Sequence, residues 1–107
     1  MIKAITLKQP IHAFDCVFSK INLSNYQDNE RLAIIIEGVD EDEEFIDEVI
    51  SVNLPNQLLI DEDCFFADIH NIPQSLFDEL ETQELIEFTP YRGQSGYNTY
   101  PVYRLLY

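Results

Sequence analysis

The sequence predicts an α+β fold, in which an antiparallel β-sheet has one main helix, at about residues 73–84, packed on it. The run RLAIIIEG (31–38) is continuously apolar at its centre, which is typical of a buried strand. The segment 72–85 has a proline at its start and apolar residues at helical spacing. The segment 97–106 is rich in tyrosine and reads as a closing strand. A chain of 107 residues without repeats or a linker predicts a single acidic domain over residues 1–107.

The N-terminal half is predicted to be mainly strand. KAITLK (3–8) alternates and favours a short strand that ends at Pro10, and the alternation resumes over 11–23. The next segment, 24–30, has the Ser, Asn and Asp residues of a turn.

The acidic segment that follows fits two structures. A capping box and an apolar stripe would suit a short helix, whereas the β-branched residues of FIDEVISV suit a strand. We favour a hairpin, with a strand over 32–38, an acidic turn, and a second strand over 45–53. Another short strand is expected around 64–67.

Two features are predicted for the C-terminal end. The stretch TPYRGQSG (89–96), between strands at 85–88 and 97–106, is predicted to be a flexible loop because it holds a proline and two glycines. Pro101 cannot donate a hydrogen bond to a neighbouring strand, so the last strand is expected to be an edge strand or bulged.

The charge distribution is the most unusual property of the chain. Twenty acidic and six basic residues give a formal charge of −14, and the sixty residues from Leu32 to Tyr91 hold seventeen acids and no Lys or Arg. Such a charge argues against direct binding of nucleic acid or of an anionic membrane. We find no signal peptide and no apolar run long enough to span a bilayer, and the two cysteines are isolated in apolar surroundings. The expected location is the cytoplasm, with both cysteines reduced.

Catalytic and metal-binding patterns are not found in the sequence. There is no nucleophile elbow, phosphate-binding loop, dinucleotide fingerprint or H-E-x-x-H motif, so we expect no enzyme, no catalytic residue and no cofactor. The carboxylates of DEDEEF resemble a calcium loop in spacing, but Phe45 stands where an EF-hand requires glycine. His12, Cys16, Cys64 and His70 lack the tight ligand turns of a zinc site, and we predict no metal site.

The acidic segment is therefore interpreted as a binding surface for a basic protein. In a strand, alternate carboxylates on one face would lie about 6.6 Å apart, close to twice the rise per phosphate of a DNA strand. A solvated face is the alternative, but a protein that needs only solubility usually intersperses both signs of charge. The predicted partner-binding residues of this segment are Asp40, Glu41, Asp42, Glu43, Glu44, Asp47 and Glu48.

A second candidate surface is the tyrosine-rich C-terminal end. Five of the six tyrosines fall in the last seventeen residues, and tyrosine is enriched at protein interfaces. Tyr103 is expected to pack on the sheet, whereas the residues around the glycine-containing loop suit recognition. The predicted contacts are Tyr91, Arg92 and Tyr97.

Three C-terminal stretches carry a family resemblance. VNLPNQLL, IPQSLFDELETQELIEFT and SGYNTYPVYRL resemble a family of small acidic proteins of unknown function carried on bacterial plasmids, phages and conjugative elements. The resemblance covers about residues 49–106 and rests on a V-N-L-P step and a final T-Y-P-x-Y-R-L strand. It implies a mobile-element setting and brings no catalytic residues.

Charge and resemblance together predict a non-enzymatic inhibitor. Its expected partner is the basic nucleic-acid-binding surface of a defence nuclease, as in anti-CRISPR or anti-restriction proteins. The alternatives are an immunity protein that neutralises a basic toxin, an accessory subunit of a mobile-element assembly, and a small enzyme acting on a cationic substrate.

Overall fold

The computed structural model describes residues 3–106, which form two four-stranded antiparallel sheets and one helix. The first sheet has the strand order β1-β2-β3-β4, and the second has the order β5-β6-β8-β7. The elements are β1 (Lys3–Ala13), β2 (Cys16–Asn25), β3 (Leu32–Val39), β4 (Phe45–Val49), β5 (Ser51–Val52), β6 (Cys64–Ala67), α1 (Gln74–Thr82), β7 (Ile86–Ser95) and β8 (Asn98–Leu105). The α+β class is confirmed, with two sheets in place of the single sheet expected.

One hydrophobic core is shared by both sheets and the helix. Alternate residues of the first sheet point into it, and Ile21, Ile34 and Ile36 are fully buried. Helix α1 contributes Phe77, whose ring stacks on that of Tyr103 from β8 at a centroid distance of 5.7 Å. Tyr103 is therefore a core residue, as its place in the sequence predicts.

The chain passes from the first sheet to the second at Ile50, which is fully buried. Its N–H donates to the carbonyl of Ile34 in β3 at 2.9 Å, and its carbonyl accepts from the N–H of Asp68 at 3.0 Å. The predicted strand over 45–53 is thus two strands in two different sheets.

Strand β1 continues past Pro10, so the prediction that it ends there is wrong. The pairing with β2 shifts between Thr6 and Ile11, and β1 lies at the edge of its sheet, where a proline is tolerated. The buried side chain of Gln83 occupies the irregular stretch. It accepts from the N–H groups of Lys8 and Gln9 at 3.0 and 3.2 Å and donates to the carbonyl of Gln9 at 3.0 Å.

The alternating segment 11–23 is not one strand, because a tight turn divides it between β1 and β2. Ala13 pairs with Cys16, and the two residues between them, Phe14 and Asp15, have φ angles of 54° and 60°. A two-residue hairpin turn with both φ angles positive normally uses Asn and Gly. The Phe-Asp pair gives no such signal in the sequence.

Residues 89–96 are mainly strand, and the prediction of a flexible loop is wrong. Strand β7 runs to Ser95, and Gly96, with φ of 60°, begins a two-residue turn into β8. The proline is absorbed by a bulge between Phe88 and Arg92. Strand β8 is not an edge strand, but it faces that bulge, and Pro101 lies just beyond the last residue that pairs with β6, Val102.

Helix α1 is shorter than the predicted 73–84 and lies between Pro73 and Gln83 as its capping residues. Glu84 adopts the left-handed conformation with φ of 61°, and the N–H of Leu85 donates to the carbonyl of Leu80. This is the Schellman termination that usually employs glycine. Because Glu84 stands where glycine is usual, the sequence does not indicate this helix end. No helix in the described part of the chain is long and apolar enough to cross a membrane.

The role of Gln83 can be tested by Gln83→Leu, which keeps the volume but leaves three backbone groups of β1 without their partner. We expect a loss of about 2–3 kcal/mol in the free energy of unfolding, measured by urea denaturation. Gln9→Leu, an exposed position on the same strand, is the matched control and should change little. Equal losses in the two variants would contradict the assigned role.

Candidate functional site: an acidic end of the first sheet

The acidic segment is a hairpin turn between β3 and β4, which confirms the hairpin over the short helix. The N–H of Asp40 donates to the carbonyl of Glu44 at 2.9 Å, and the N–H of Glu43 donates to the carbonyl of Asp40 at 3.0 Å. This is a three-residue hairpin loop with a residue in the left-handed conformation at its end. Four of its five carboxylate side chains are exposed, and Asp40 is half-buried.

Asp40 has a structural role in this turn. Its Oδ1 accepts from the N–H groups of Asp42 and Glu44 at 2.9 and 3.0 Å, so the side chain closes the loop from within. Of the seven predicted acidic contacts, Asp40 is therefore partly engaged inside the protein.

Glu43 adopts a backbone conformation that glycine would normally supply. Its φ is 63°, and the left-handed region costs a non-glycine residue about 1–2 kcal/mol. The chain thus places a carboxylate at a position where the turn geometry alone favours glycine.

A second hairpin turn adds a carboxylate that sequence reasoning missed. Val17 pairs with Val39, so the turn at 14–15 and the turn at 40–44 project from the same end of the first sheet. Asp15 in the first of these turns is exposed. We call the six carboxylates at this end of the sheet the acidic end; they are Asp15, Asp40, Glu41, Asp42, Glu43 and Glu44. Because the Phe14–Asp15 turn lacks the usual Asn-Gly signal, the sequence does not indicate that Asp15 lies beside residues 40–44.

The carboxylates of the acidic end affect the pKa of the neighbouring Cys16 thiol. Partial burial raises the pKa of its thiol, and the carboxylates of Asp40, Asp15, Glu41 and Glu48 raise it further. The carboxylate of Glu48 on β4 thus acts on the pKa of the same thiol as three carboxylates of the acidic end.

The predicted row of alternating carboxylates along a strand is not formed. Five consecutive acids lie in the turn, and the two on β4, Asp47 and Glu48, are sequence neighbours that point to opposite faces of the sheet. Asp47 lies directly opposite Glu37 on β3, and Lys20 of β2 lies opposite Glu37 on the other side. The regular spacing expected of a phosphate mimic is therefore absent from this surface.

The second predicted set, Tyr91, Arg92 and Tyr97, lies on the second sheet. Tyr97 is fully exposed at the β7–β8 turn. Tyr91 lies in the β7 bulge and Arg92 follows it, and both line a groove of about 460 Å³ that is also lined by Phe88 and Asp78. No hydrogen bond, ion pair or ring contact among the described residues joins this set to the acidic end, so the structure does not bring the two predicted surfaces together.

Two of the basic residues are engaged in holding the loop between β5 and β6. Arg31 donates to the carbonyls of Leu54 and Gln57, both at 2.6 Å. Arg104 forms ion pairs with Asp61 at 2.7 Å and with Asp63 at 3.5 Å. The acidic residues 61–63 are thus partly neutralised, whereas no ion pair within residues 3–106 involves the acidic end. Within that range no group of three or more side chains could hold a metal ion.

Glu43→Gly should stabilise the protein by about 0.5–1 kcal/mol, because the relief of left-handed strain exceeds the extra backbone entropy that glycine loses on folding. Urea denaturation measures the change. Glu43→Gln removes the same charge without relieving the backbone and should gain less. If Glu43→Gln stabilises the protein as much as Glu43→Gly does, the gain comes from relief of like-charge repulsion and not from relief of backbone strain.

Alkylation of Cys16 by iodoacetamide should report the local charge. Because the raised pKa lowers the thiolate fraction, the reaction rate should rise with pH along a curve shifted above that of a free thiol. Asp15→Asn combined with Glu41→Gln should move the curve to lower pH. Mass spectrometry separates this signal from Cys64, which is fully buried and should stay unmodified. An unchanged curve would show that these carboxylates do not act on Cys16.

Comparison with known proteins gives one assignment. No curated protein and no solved structure matches the chain. The sequence profile of a domain of unknown function, DUF4313, matches residues 20–106. The match extends well before residue 49 and includes the whole acidic turn. The chain therefore belongs to the DUF4313 family.

Proposed function

We propose that this protein is a non-enzymatic inhibitor whose acidic end occupies the basic, nucleic-acid-binding surface of another protein. The observation that supports this most directly is the gathering of six carboxylates on two adjacent exposed turns of one sheet. Like charges held together create a strong negative potential, which attracts a basic surface and speeds its encounter.

The fold keeps this charge concentrated. The acidic end lies on short turns anchored by regular strands, so its carboxylates cannot disperse as they would in a disordered tail. Two of the six basic residues hold the loop after β5 and do not pair with the carboxylates of the acidic end. The surface is thereby available to an external cation-rich partner.

The partner class is a protein that evolved to hold a polyanion. The acidic end offers charge density without the regular spacing of a phosphate backbone, so the mimicry we propose is electrostatic. A defence nuclease encountered by a mobile genetic element, of the CRISPR or restriction type, fits this requirement and the mobile-element setting that the family resemblance implies.

A capture experiment identifies the partner. The protein is immobilised, incubated with host lysate at low salt, and the retained proteins are identified by mass spectrometry. Recovery of a basic nuclease whose activity falls on addition of this protein supports the proposal. A basic toxin in its place would make the protein an immunity protein, and stable recovery of a larger complex would make it an accessory subunit; either overturns the inhibitor assignment.

Binding to the captured partner should weaken strongly as salt rises from about 50 to about 500 mM, because the distance over which exposed charges interact shortens with salt, to about 10 Å at 0.1 M and about 3 Å at 1 M. Neutralisation of Asp15, Glu41, Asp42 and Glu44 to their amides should slow association about tenfold without loss of fold. Asp40 is retained because it closes the turn. Surface plasmon resonance gives both rates.

The matched control neutralises four exposed acids elsewhere, at Glu62, Glu79, Glu84 and Glu87, so that the net charge changes equally. It should retain most of the association rate. If both fourfold variants bind alike, net charge alone steers the encounter and the acidic end is not the contact surface.

A further inference from the structure

The two sheets have four edges, and three of them carry features that prevent another strand from pairing. Strand β1 is interrupted by a bulge and Pro10, β7 by a bulge that contains Pro90, and β5 is only two residues long. Bulges, prolines and short length are the usual devices that protect sheet edges. Strand β4 has none of them: its five residues pair with β3 in unbroken register.

The outer side of β4 presents unpaired backbone groups. Glu44 accepts from Asp40 and Ile50 donates to Ile34, which fixes the alternation of hydrogen bonds along the strand. The backbone groups of Phe45, Asp47 and Val49 therefore point away from β3. No described strand lies on that side of β4.

The same three residues share the outer face of the sheet and leave apolar surface exposed. Phe45 is 66% exposed and Val49 is 48% exposed, and Val39, opposite Phe45, is 39% exposed. Asp47 lies between the two apolar positions. The exposed strand thus reads apolar, acidic, apolar on one face, with Glu48 on the other.

This pattern selects its occupant by charge. A second copy pairing antiparallel through β4 would bring Asp47 and Glu48 close to their own counterparts, and like charges across a strand pair are destabilising. The opposite edge, β1, offers no long regular partner because of its bulge. A strand that presents apolar, basic and apolar residues on one face, and a basic residue on the other, meets every requirement.

We infer that the open edge of β4 docks an extended segment of the basic partner as a fifth strand of the first sheet. The inference rests on the proposed function, since it names how that partner is held after the acidic end has attracted it. Backbone hydrogen bonds would supply the binding, and contacts to Phe45, Asp47 and Val49 would supply the selectivity.

The probe is a capped peptide, Val-Arg-Lys-Thr-Val, which places lysine opposite Asp47 and valines opposite Phe45 and Val49 in antiparallel register. On binding, amide exchange measured by NMR should slow at Phe45, Asp47 and Val49, whose N–H groups gain acceptors. The acidic peptide Val-Glu-Asp-Thr-Val is the control and should leave exchange unchanged. Protection confined to the acidic turn, or to another strand, would overturn the proposal.

A pair of substitutions separates the backbone from the charge. Asp47→Asn and Asp47→Pro both remove the carboxylate, and neither removes a hydrogen bond to β3. Only proline also removes the N–H that points away from β3. The Asp47→Pro variant should bind the peptide about tenfold more weakly than the Asp47→Asn variant, because it lacks one hydrogen bond to the peptide. Equal affinities in folded variants would exclude strand addition. Should the proline variant unfold, strand addition is still tested by the amide exchange of the unmodified protein with the basic peptide.

The two proposals can fail separately. If the captured partner binds with the expected salt dependence while Asp47→Pro has no effect on it, the acidic end is the contact and the strand edge is not. If the peptide protects β4 but no nucleic-acid-binding protein is captured, the edge is a docking site and the inhibitor assignment is wrong. Concentration-dependent self-association without peptide, seen by light scattering, would show that a second copy is the true occupant.

Discussion

The rest of the structure depends on the hydrogen bonds of Ile50, which join the first sheet to the second. One residue completes the pairing of β3 and, through its carbonyl, anchors Asp68 just after β6. Its side chain lies in the core that both sheets and the helix share. Neighbouring Ser51 reinforces the junction, because its buried hydroxyl accepts from the N–H of Ile34 and bonds to the hydroxyl of Tyr26. The two sheets are thereby held around one shared core.

That common core determines where the charge can lie. Carboxylates are too costly to bury without partners, and the chain has few bases to pair with them. The inner faces of both sheets are mainly apolar, so most of the acids lie on turns, outer faces and the exposed side of the helix, and Glu48 lies on the exposed edge strand β4. The turns at the end of the first sheet collect six of them, because two hairpins end there side by side. The electrostatic surface is thus a consequence of strand register as much as of composition.

The acidic end and the open edge of β4 meet at Phe45, the first residue after the turn. Attraction by the turn and pairing along the edge would therefore act in sequence on the same approaching segment. Long-range charge mainly sets how fast a partner arrives, and short-range hydrogen bonds and apolar contacts set how long it stays. Like charge on β4 also discourages self-pairing, so the protein can leave a regular edge exposed.

The sequence by itself determined the α+β class, the buried strand at β3, the acidic hairpin and the helix, because each depends on local patterning of apolar residues. It also determined that the chain is acidic and that its bases lie at the two ends. Tertiary structure decided the rest. The turns at Phe14–Asp15 and Glu43 and the helix end at Glu84 use left-handed residues other than glycine, which only surrounding contacts can impose. Pro10 and Pro90 are accommodated by bulges, whose positions depend on the pairing with the neighbouring strands. The division into two sheets at Ile50, and the meeting of Asp15 with residues 40–44, depend on pairing between segments distant in sequence, which single-residue preferences do not encode.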